Sequence, residues 1–350
     1  MMVNVGLIGC GYWGPNLLRN FLELSNCQIK AIAELDDSRI DYLNQKFPSL
    51  PTTKDYRDLM NGSIDAVVIA TQPRTHYSLA KEALQNKKHV LVEKPLAMSV
   101  AQARELIELA NKHQRKLMVG HTFEYSEPVR LLKKYMHSEE IGRLYYLYSQ
   151  RVNFGIVRQD VNALWNLAPH DISIILYLLE KMPVMVSAKG VDFLQKGIED
   201  IVFMVLHFPD DVIAHVHVSW LDPNKVRRMT LVGSEKMIVY DDVSDAKIKI
   251  YDKGIKKQNI TESLGRYDDF GQYQSIKFAG DVILPKIDLV EPLKNECAHF
   301  IECIQQDKDL LTGGDNGLRV VHVLEAASRS MRQDGKNVAI EPLETFVTAE

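Results

Sequence analysis

The chain has 350 residues, 46% of them hydrophobic and 25% charged, with a formal net charge of −4. That length and balance fit a globular protein of about two domains and exclude a disordered chain, and without a basic stripe interleaved with aromatics nucleic acid is not an expected partner. No apolar run reaches the roughly 18 residues of a membrane span, and Cys10, Cys27, Cys297 and Cys303 form no Cys-x-x-Cys pair, so the reading is cytoplasmic, with no disulfide framework, zinc site or membrane partner.

An apolar run, Val3–Ile8, opens the chain and ends in Gly9-Cys10-Gly11-Tyr12-Trp13-Gly14. A helical pattern follows, carried by Leu17, Leu18, Phe21 and Leu22. Strand, glycine turn and helix are the context a dinucleotide fingerprint requires. Gly9 allows the sharp turn, Gly11 the approach of a pyrophosphate, and Gly14 close packing of helix on strand. The phosphates then meet free N–H groups at the helix start. A second strand at 29–33 ends at Glu34, twenty residues past Gly14. A carboxylate there accepts hydrogen bonds from ribose hydroxyls and repels a 2′-phosphate, which favours NAD over NADP. The structural alternative is a turn that binds nothing and a solvated Glu34; the two signals in register weigh against it.

The same unit repeats to about residue 122. Strands are expected at 66–70, 89–92 and Leu117–Gly120, with helices near 38–47, 76–86 and 99–113. Short strands, apolar throughout, alternating with helices imply a doubly wound parallel sheet, a Rossmann domain over 1–122. Ligands of such sheets bind beyond the carboxyl ends of the strands. The residues there are Gly9–Gly14, Glu34, Thr71–Arg74, Glu93–Pro95 and His121.

Residues 123–350 read as an α+β domain for substrate binding and oligomerisation. A helix at 128–137, a strand at 144–150 and an apolar helix at 170–179 lead into period-two or apolar runs at 184–189, 201–208, 212–220, 229–233, 237–240 and Ile248–Tyr251. These imply a large, mostly antiparallel open sheet with helices on one face. Its bare face predicts a homodimer or homotetramer. Residues 252–290 look irregular, and helices are expected at 293–306 and 318–331. His215 and His217 share one strand face; without Asp, Glu or Cys at ligand spacing, no metal is expected.

Three stretches carry chemistry. Glu93-Lys94-Pro95 ends a strand, and Pro95 holds Lys94 extended. Lys94 then emerges where a nicotinamide should lie and can stabilise an alkoxide; the alternative is a surface lysine in a turn. Thr71-Gln72-Pro73-Arg74-Thr75-His76 can place a hydroxyl and N–H groups near a cofactor, or simply use Thr75 as a helix N-cap. In Trp165-Asn166-Leu167-Ala168-Pro169-His170-Asp171, Pro169 predicts a helix start, Asn166 its cap, and His170 a first-turn residue kept neutral by the helix dipole. A histidine packed in the core is the alternative.

Together, Gly9-Cys10-Gly11-Tyr12-Trp13-Gly14, Ala70-Thr71-Gln72-Pro73 with His76, Glu93-Lys94-Pro95, Asn166-x-x-x-His170, Glu291-Pro292-Leu293 and Gly317-Leu318-Arg319-Val320-Val321 resemble the Gfo/Idh/MocA oxidoreductase family, over nearly the whole chain. The resemblance implies an NAD(P)-dependent dehydrogenase or reductase acting on a CH–OH group of a sugar. It places Lys94 beside the nicotinamide and His170 on the reacting hydroxyl. Substrates in the family are sugars, inositols and nucleotide-linked sugars, and Tyr12-Trp13 with the Trp165–Asp171 stretch look most like members that act on nucleotide-sugars for surface-polysaccharide assembly. Many members carry Asp where this chain has Asn166, and an amide cannot relay a proton. The expectation is therefore an NAD-dependent sugar or nucleotide-sugar oxidoreductase. Lys94 and His170 are its catalytic pair. Gly9, Gly11, Tyr12, Trp13, Gly14, Glu34, Thr71, Pro73, His76, Glu93 and Lys94 bind the cofactor, while Arg151, Asn153, Asn166 and His170 contact substrate. The rivals are a glycoside hydrolase with bound NAD and a non-catalytic NAD- and sugar-binding regulator.

Overall fold

The structure, a computed structural model, describes residues 2–155, 157–253 and 280–343. The first layer is built from β1 (Val3–Ile8), α1 (Gly14–Leu22), β2 (Cys27–Ala33), α2 (Asp37–Lys46), β3 (Thr52–Thr53), β4 (Ala66–Ile69), α3 (Pro73–Gln85), β5 (His89–Glu93), α4 (Val100–His113) and β6 (Leu117–Gly120). The strands lie in the order β3-β2-β1-β4-β5-β6, all parallel. β4 and β6 are buried at every residue, as strands covered on both faces must be. The winding reverses between β1 and β4, and that reversal opens the crevice where α/β sheets bind ligands. The Rossmann sheet expected from the sequence is present. The short β3 was not anticipated, because two residues carry no readable period.

The second layer comprises α5 (Glu127–His137), β7 (Leu144–Val152), α6 (Ala163–Leu179), β8 (Met185–Val191), β9 (Ile201–His207), β10 (Ile213–Ser219), β11 (Val226–Gly233), β12 (Met237–Asp241), β13 (Ile248–Tyr251), β14 (Val282–Ile283), α7 (Pro292–Gln306), α8 (Gly314–Arg332) and β15 (Val338–Ala339). Its nine strands run β14-β13-β12-β11-β7-β10-β9-β8-β15. All neighbours are antiparallel except β7 and β10. Of the irregular region expected at 252–290, residues 254–279 lie outside the described residues; Val282 and Ile283 add an edge strand.

Period two decides which face of this sheet is covered. Ala214, Val216 and Val218 of β10 are buried on the side of α6, while Ile213 is exposed on the other side. Tyr146, Tyr148 and Phe203 are exposed large apolar residues, and Phe203 stacks on His217 at 4.3 Å and on His215 at 6.3 Å. The two histidines thus flank an aromatic ring, and among the described residues no group of three or more possible metal ligands occurs.

The two C-terminal helices return to the first layer. Leu293, Cys297, Phe300 and Ile301 of α7 join the core of β1 and α1. α8 packs against α4, α6, β6 and β8 and so ties the two sheets together. All four cysteines are buried and free. Among the described residues, no helix is long and apolar enough to cross a membrane.

Candidate active site

The glycine turn is shaped for a dinucleotide. Gly9 has φ +86°, which favours glycine, and its N–H donates to Ala33 O at 2.8 Å. A Cβ on Gly14 would come 2.6 Å from the Gly9 carbonyl oxygen, so α1 could not sit so close to its strand. A Cβ on Gly11 would meet only the tip of the flexible Arg39 side chain, at 2.9 Å. The protein's own packing therefore does not demand glycine there, whereas close approach of a ligand does. α1 begins without a side-chain cap at Trp13 and has Pro15 in its first turn. Tyr12 and Trp13 stand exposed at its mouth.

Glu34 is nearly buried behind this turn. Oε2 accepts from Cys10 N at 2.6 Å, and Oε1 accepts from Leu35 N at 2.8 Å and Asp36 N at 3.1 Å. A carboxylate has about four acceptor sites, so one remains. Arg39 Nη1 lies 3.9 Å away. The bare turn, the uncapped helix start and this carboxylate fit a nicotinamide dinucleotide.

Thr71, Pro73 and His76 follow β4, where a cofactor loop was expected. α3 starts at Pro73, not at His76, and Gln72 takes the cap position. Pro73 suits the first turn because its missing N–H has no partner there. Thr75 is therefore not the cap; its hydroxyl donates to Gln72 O at 2.8 Å and lies 2.7 Å from that of Thr71. His76 is fully buried, with Nδ1 2.8 Å from Pro95 O and Nε2 3.2 Å from Thr71 O. Burial pushes it down to about 4. It ties the loop after β4 to the Glu93-Lys94-Pro95 loop.

Lys94 leaves the carboxyl end of β5 and donates from Nζ to Asn166 O at 3.0 Å. Burial, and after it the charges of Arg151, Arg158 and Arg227, hold its ammonium below the usual lysine range; Glu93 opposes them.

α6 differs from expectation. It begins at Ala163, capped by Asn162, whose side chain accepts from Trp165 N at 3.1 Å. Asn166 is therefore not the cap, Pro169 lies inside the helix, and His170 sits mid-helix, away from the dipole's positive end. Burial explains the longer helix. An interior proline costs about 3 kcal/mol, but Leu164 and Trp165 are buried by the extension, each contributing about 1.5–3 kcal/mol. His170 is still kept neutral, for another reason: burial first, then the positive charges of Lys94, Arg151 and Arg227, push it well below 6.5. Its ring meets the edge of Phe123 at 5.1 Å.

Arg151 is almost fully buried and forks onto Asp171 at 2.6 and 3.4 Å, with its guanidinium 4.6 Å from the Phe123 ring centre. It thus faces the site through Phe123 and by its charge. Asn153 is pinned by its N–H to Ser219 O at 3.2 Å. Asn166 lies one turn before His170, on the same face of α6.

Four more residues belong to the site. Arg227 of β11 is the register partner of Arg151, half-exposed, with Asp242 at 3.4 Å. Arg158 is paired with Asp160 at 2.7 Å. His121 is buried, with Nδ1 2.5 Å from Asn316 Oδ1. Glu296 is fully buried on α7. His121 had a readable signal in its place just after the strand ending at Gly120, and Glu296 had one too: with Leu293, Cys297 and Phe300 it falls at the spacing of a buried helix face.

Comparison with known proteins agrees with this architecture. Residues 3–121 match a family described as "Oxidoreductase family, NAD-binding Rossmann fold", and residues 129–239 match "GFO/IDH/MocA C-terminal domain". The uncharacterized oxidoreductase YrbE of Bacillus subtilis is 24% identical over 97% of each chain. Inositol 2-dehydrogenase of Salmonella typhimurium is 26% identical over 52% of this chain and 56% of its own. The fold is shared with UDP-N-acetylglucosamine 3-dehydrogenase GnnA of Acidithiobacillus ferrooxidans, at TM-score 0.78 and 20% identity over 95% of this chain and 99% of that one.

Proposed function

The chain belongs to the Gfo/Idh/MocA oxidoreductase family, and within it we propose an NAD-dependent dehydrogenase or reductase acting on a hydroxyl or ketone of a nucleotide-linked sugar. One observation carries the reading: Lys94 Nζ, at the carboxyl edge of the Rossmann sheet, donates to the carbonyl of Asn166, one turn before His170 on α6. When bound, the nicotinamide accepts or returns the hydride. The neutral His170 takes the hydroxyl proton, and Lys94 donates a hydrogen bond to the oxygen as its charge develops. Three guanidinium groups, of Arg151, Arg158 and Arg227, act on Lys94, and Arg227 is half-exposed with one ion pair at 3.4 Å. Such a cleft favours a substrate that carries negative charge, as a nucleotide diphosphate does.

The test is cofactor absorbance with NAD and a panel of UDP- and dTDP-sugars, free sugars and inositols. Turnover confined to uncharged sugars would remove the nucleotide. Aglycone release without net absorbance change would indicate a glycoside hydrolase, and binding without turnover a regulator. Arg227→Gln should raise KM for the charged substrate about tenfold or more, the worth of one charged hydrogen bond.

Glu34 selects NAD in this reading. Because it also holds the Cys10 N–H, Glu34→Ala would loosen the glycine turn as well; Glu34→Gln keeps an acceptor. It should lose NAD affinity and narrow the gap to NADP in fluorescence titrations. A wild type that already prefers NADP would transfer the role to Arg39.

The bare face of the second sheet, with Tyr146, Tyr148 and Phe203 exposed, is covered in our reading by a second copy, as a homodimer or homotetramer. A light-scattering mass near 39.9 kDa at micromolar concentration would overturn that.

A further inference from the structure

Behind Lys94 lie carboxyl groups that the proposed reaction does not use. Glu93 ends β5 opposite Gly120 of β6, and a Cβ on Gly120 would come 3.0 Å from Glu93 Oε1. The bare glycine thus makes room for the carboxyl group. Beyond Gly120 the chain forms a short helical turn, Thr122–Tyr125, which carries Glu124. α7 packs on that turn and on α1, and it brings Glu296 into the same interior. Glu124 is answered by Asn316 Nδ2, at 3.1 and 3.3 Å from its two oxygens. Glu93 Oε1 and both carboxyl oxygens of Glu296 are buried without a well-formed hydrogen bond among the described residues; the Trp13 indole and the Thr122 hydroxyl are the donors beside them.

A buried carboxylate in such surroundings takes up a proton, and two that share one water-poor interior and act on each other by their charge do not readily both ionise. We propose that Glu93 and Glu296 hold one proton between them, and that this pair governs how firmly the Lys94 ammonium keeps its charge. The proposal rests on the reading of Lys94 as the group on the substrate oxygen, yet it can be measured without substrate.

The surrounding charges leave Glu93 as the deciding group. Arg151, Arg158 and Arg227 repel the Lys94 ammonium, and Glu93 is the carboxylate that supports it. His76, His121 and His170 are held neutral by burial. On the other side, the charges of Glu93 and Glu124 act on Glu296, and burial keeps Tyr125 and Cys297 neutral. Arg130 lies over the Tyr125 ring and is paired with Glu127 at 3.2 Å, and His299 meets the edge of the same ring with Nε2 3.4 Å from Asp309 O, while Arg19 of α1 and Glu23 at its end are committed to exposed ion pairs with Glu291 and Lys294. With the proton on Glu296, Glu93 is charged and supports Lys94. With the proton on Glu93, that support is gone.

The two glutamines therefore act in opposite directions. Glu296→Gln fixes the charge on Glu93 and should move the Lys94 titration upward, by roughly half a unit or more. Glu93→Gln removes the supporting charge and should move it downward, by about a unit. The readout is NMR of ε-carbon-labelled lysine in the whole protein without substrate, with the Lys94 signal identified by its loss in Lys94→Met. Because no turnover is needed, failure of the oxidoreductase reading would leave this result interpretable. A Glu296→Gln protein in which Lys94 titrates as in wild type, or lower, overturns the proposal. Infrared difference spectra give a second reading. Wild type minus Glu93→Gln should show the loss of one carboxylate and no loss of protonated carboxyl. If a protonated carboxyl is lost instead, Glu93 held its own proton and the pair does not exist.

Discussion

Lys94→Met is expected to lower kcat/KM about 10²–10³-fold, the usual effect of removing one donor at a developing oxyanion. The side chain of methionine matches the stem of lysine, so packing is kept and the ammonium alone is lost. Anchorage on Asn166 O leaves Nζ two further N–H groups for the reacting oxygen. The pH dependence follows from the lowered ammonium. A cation whose titration is displaced downward loses its charge earlier as pH rises, so the wild-type rate should fall on the alkaline side well before a free lysine at about 10.4 would titrate. That limb should be absent from the residual rate of Lys94→Met. Steady-state rates across pH check this, with thermal melting to show that the variant is folded. A variant within a few-fold of wild type would leave the alkoxide without its assigned donor.

The parts of the protein most readable in advance were those with one strong local period. Leu117–Gly120 is where a continuous apolar run places it, because a strand buried on both faces leaves no polar residue to blur its ends, and Val3–Ile8 is in place because Asn4 is its one polar residue. Glu34 was legible from its distance to the glycine turn, but not its second task of holding Cys10 N, which depends on a side chain folding back across two strands. The start of α6 was misplaced because Pro169 and Asn166 imitate a helix start, and only tertiary burial of Leu164 and Trp165 outweighs that signal. Arg227 could not be assigned, since its importance comes from lying opposite Arg151 across two strands far apart in sequence. The neutrality of His170 was expected for a reason the fold does not supply, and it survives because desolvation first, and then several nearby cations, act on this half-buried ring.

His170→Ala should lower kcat about 10²–10⁴-fold, the range for loss of a positioned general base, while cofactor binding stays near wild type. The pH profile separates this role from simple packing. A histidine near its ordinary value of about 6.5 would switch off oxidation as pH falls through 6 to 7. Here burial and the charges of Lys94, Arg151 and Arg227 keep the imidazole unprotonated far below that. Oxidation by the wild type should therefore show no acid limb from His170 between about pH 5.5 and 7.5, one unit either side of the ordinary value. Asn166→Asp is the informative companion. Because Asn162 is the cap, a change at Asn166 does not disturb the helix start. A carboxylate one turn before His170 would favour the imidazolium and raise its titration. Oxidation, which needs the neutral ring, should then lose rate at low pH, and reduction, which needs a proton donor, should gain it. If Asn166→Asp leaves both directions unchanged, residue 166 does not couple to His170. If His170→Ala keeps a near-normal kcat, Lys94 is the sole proton carrier and the assignment of His170 is wrong.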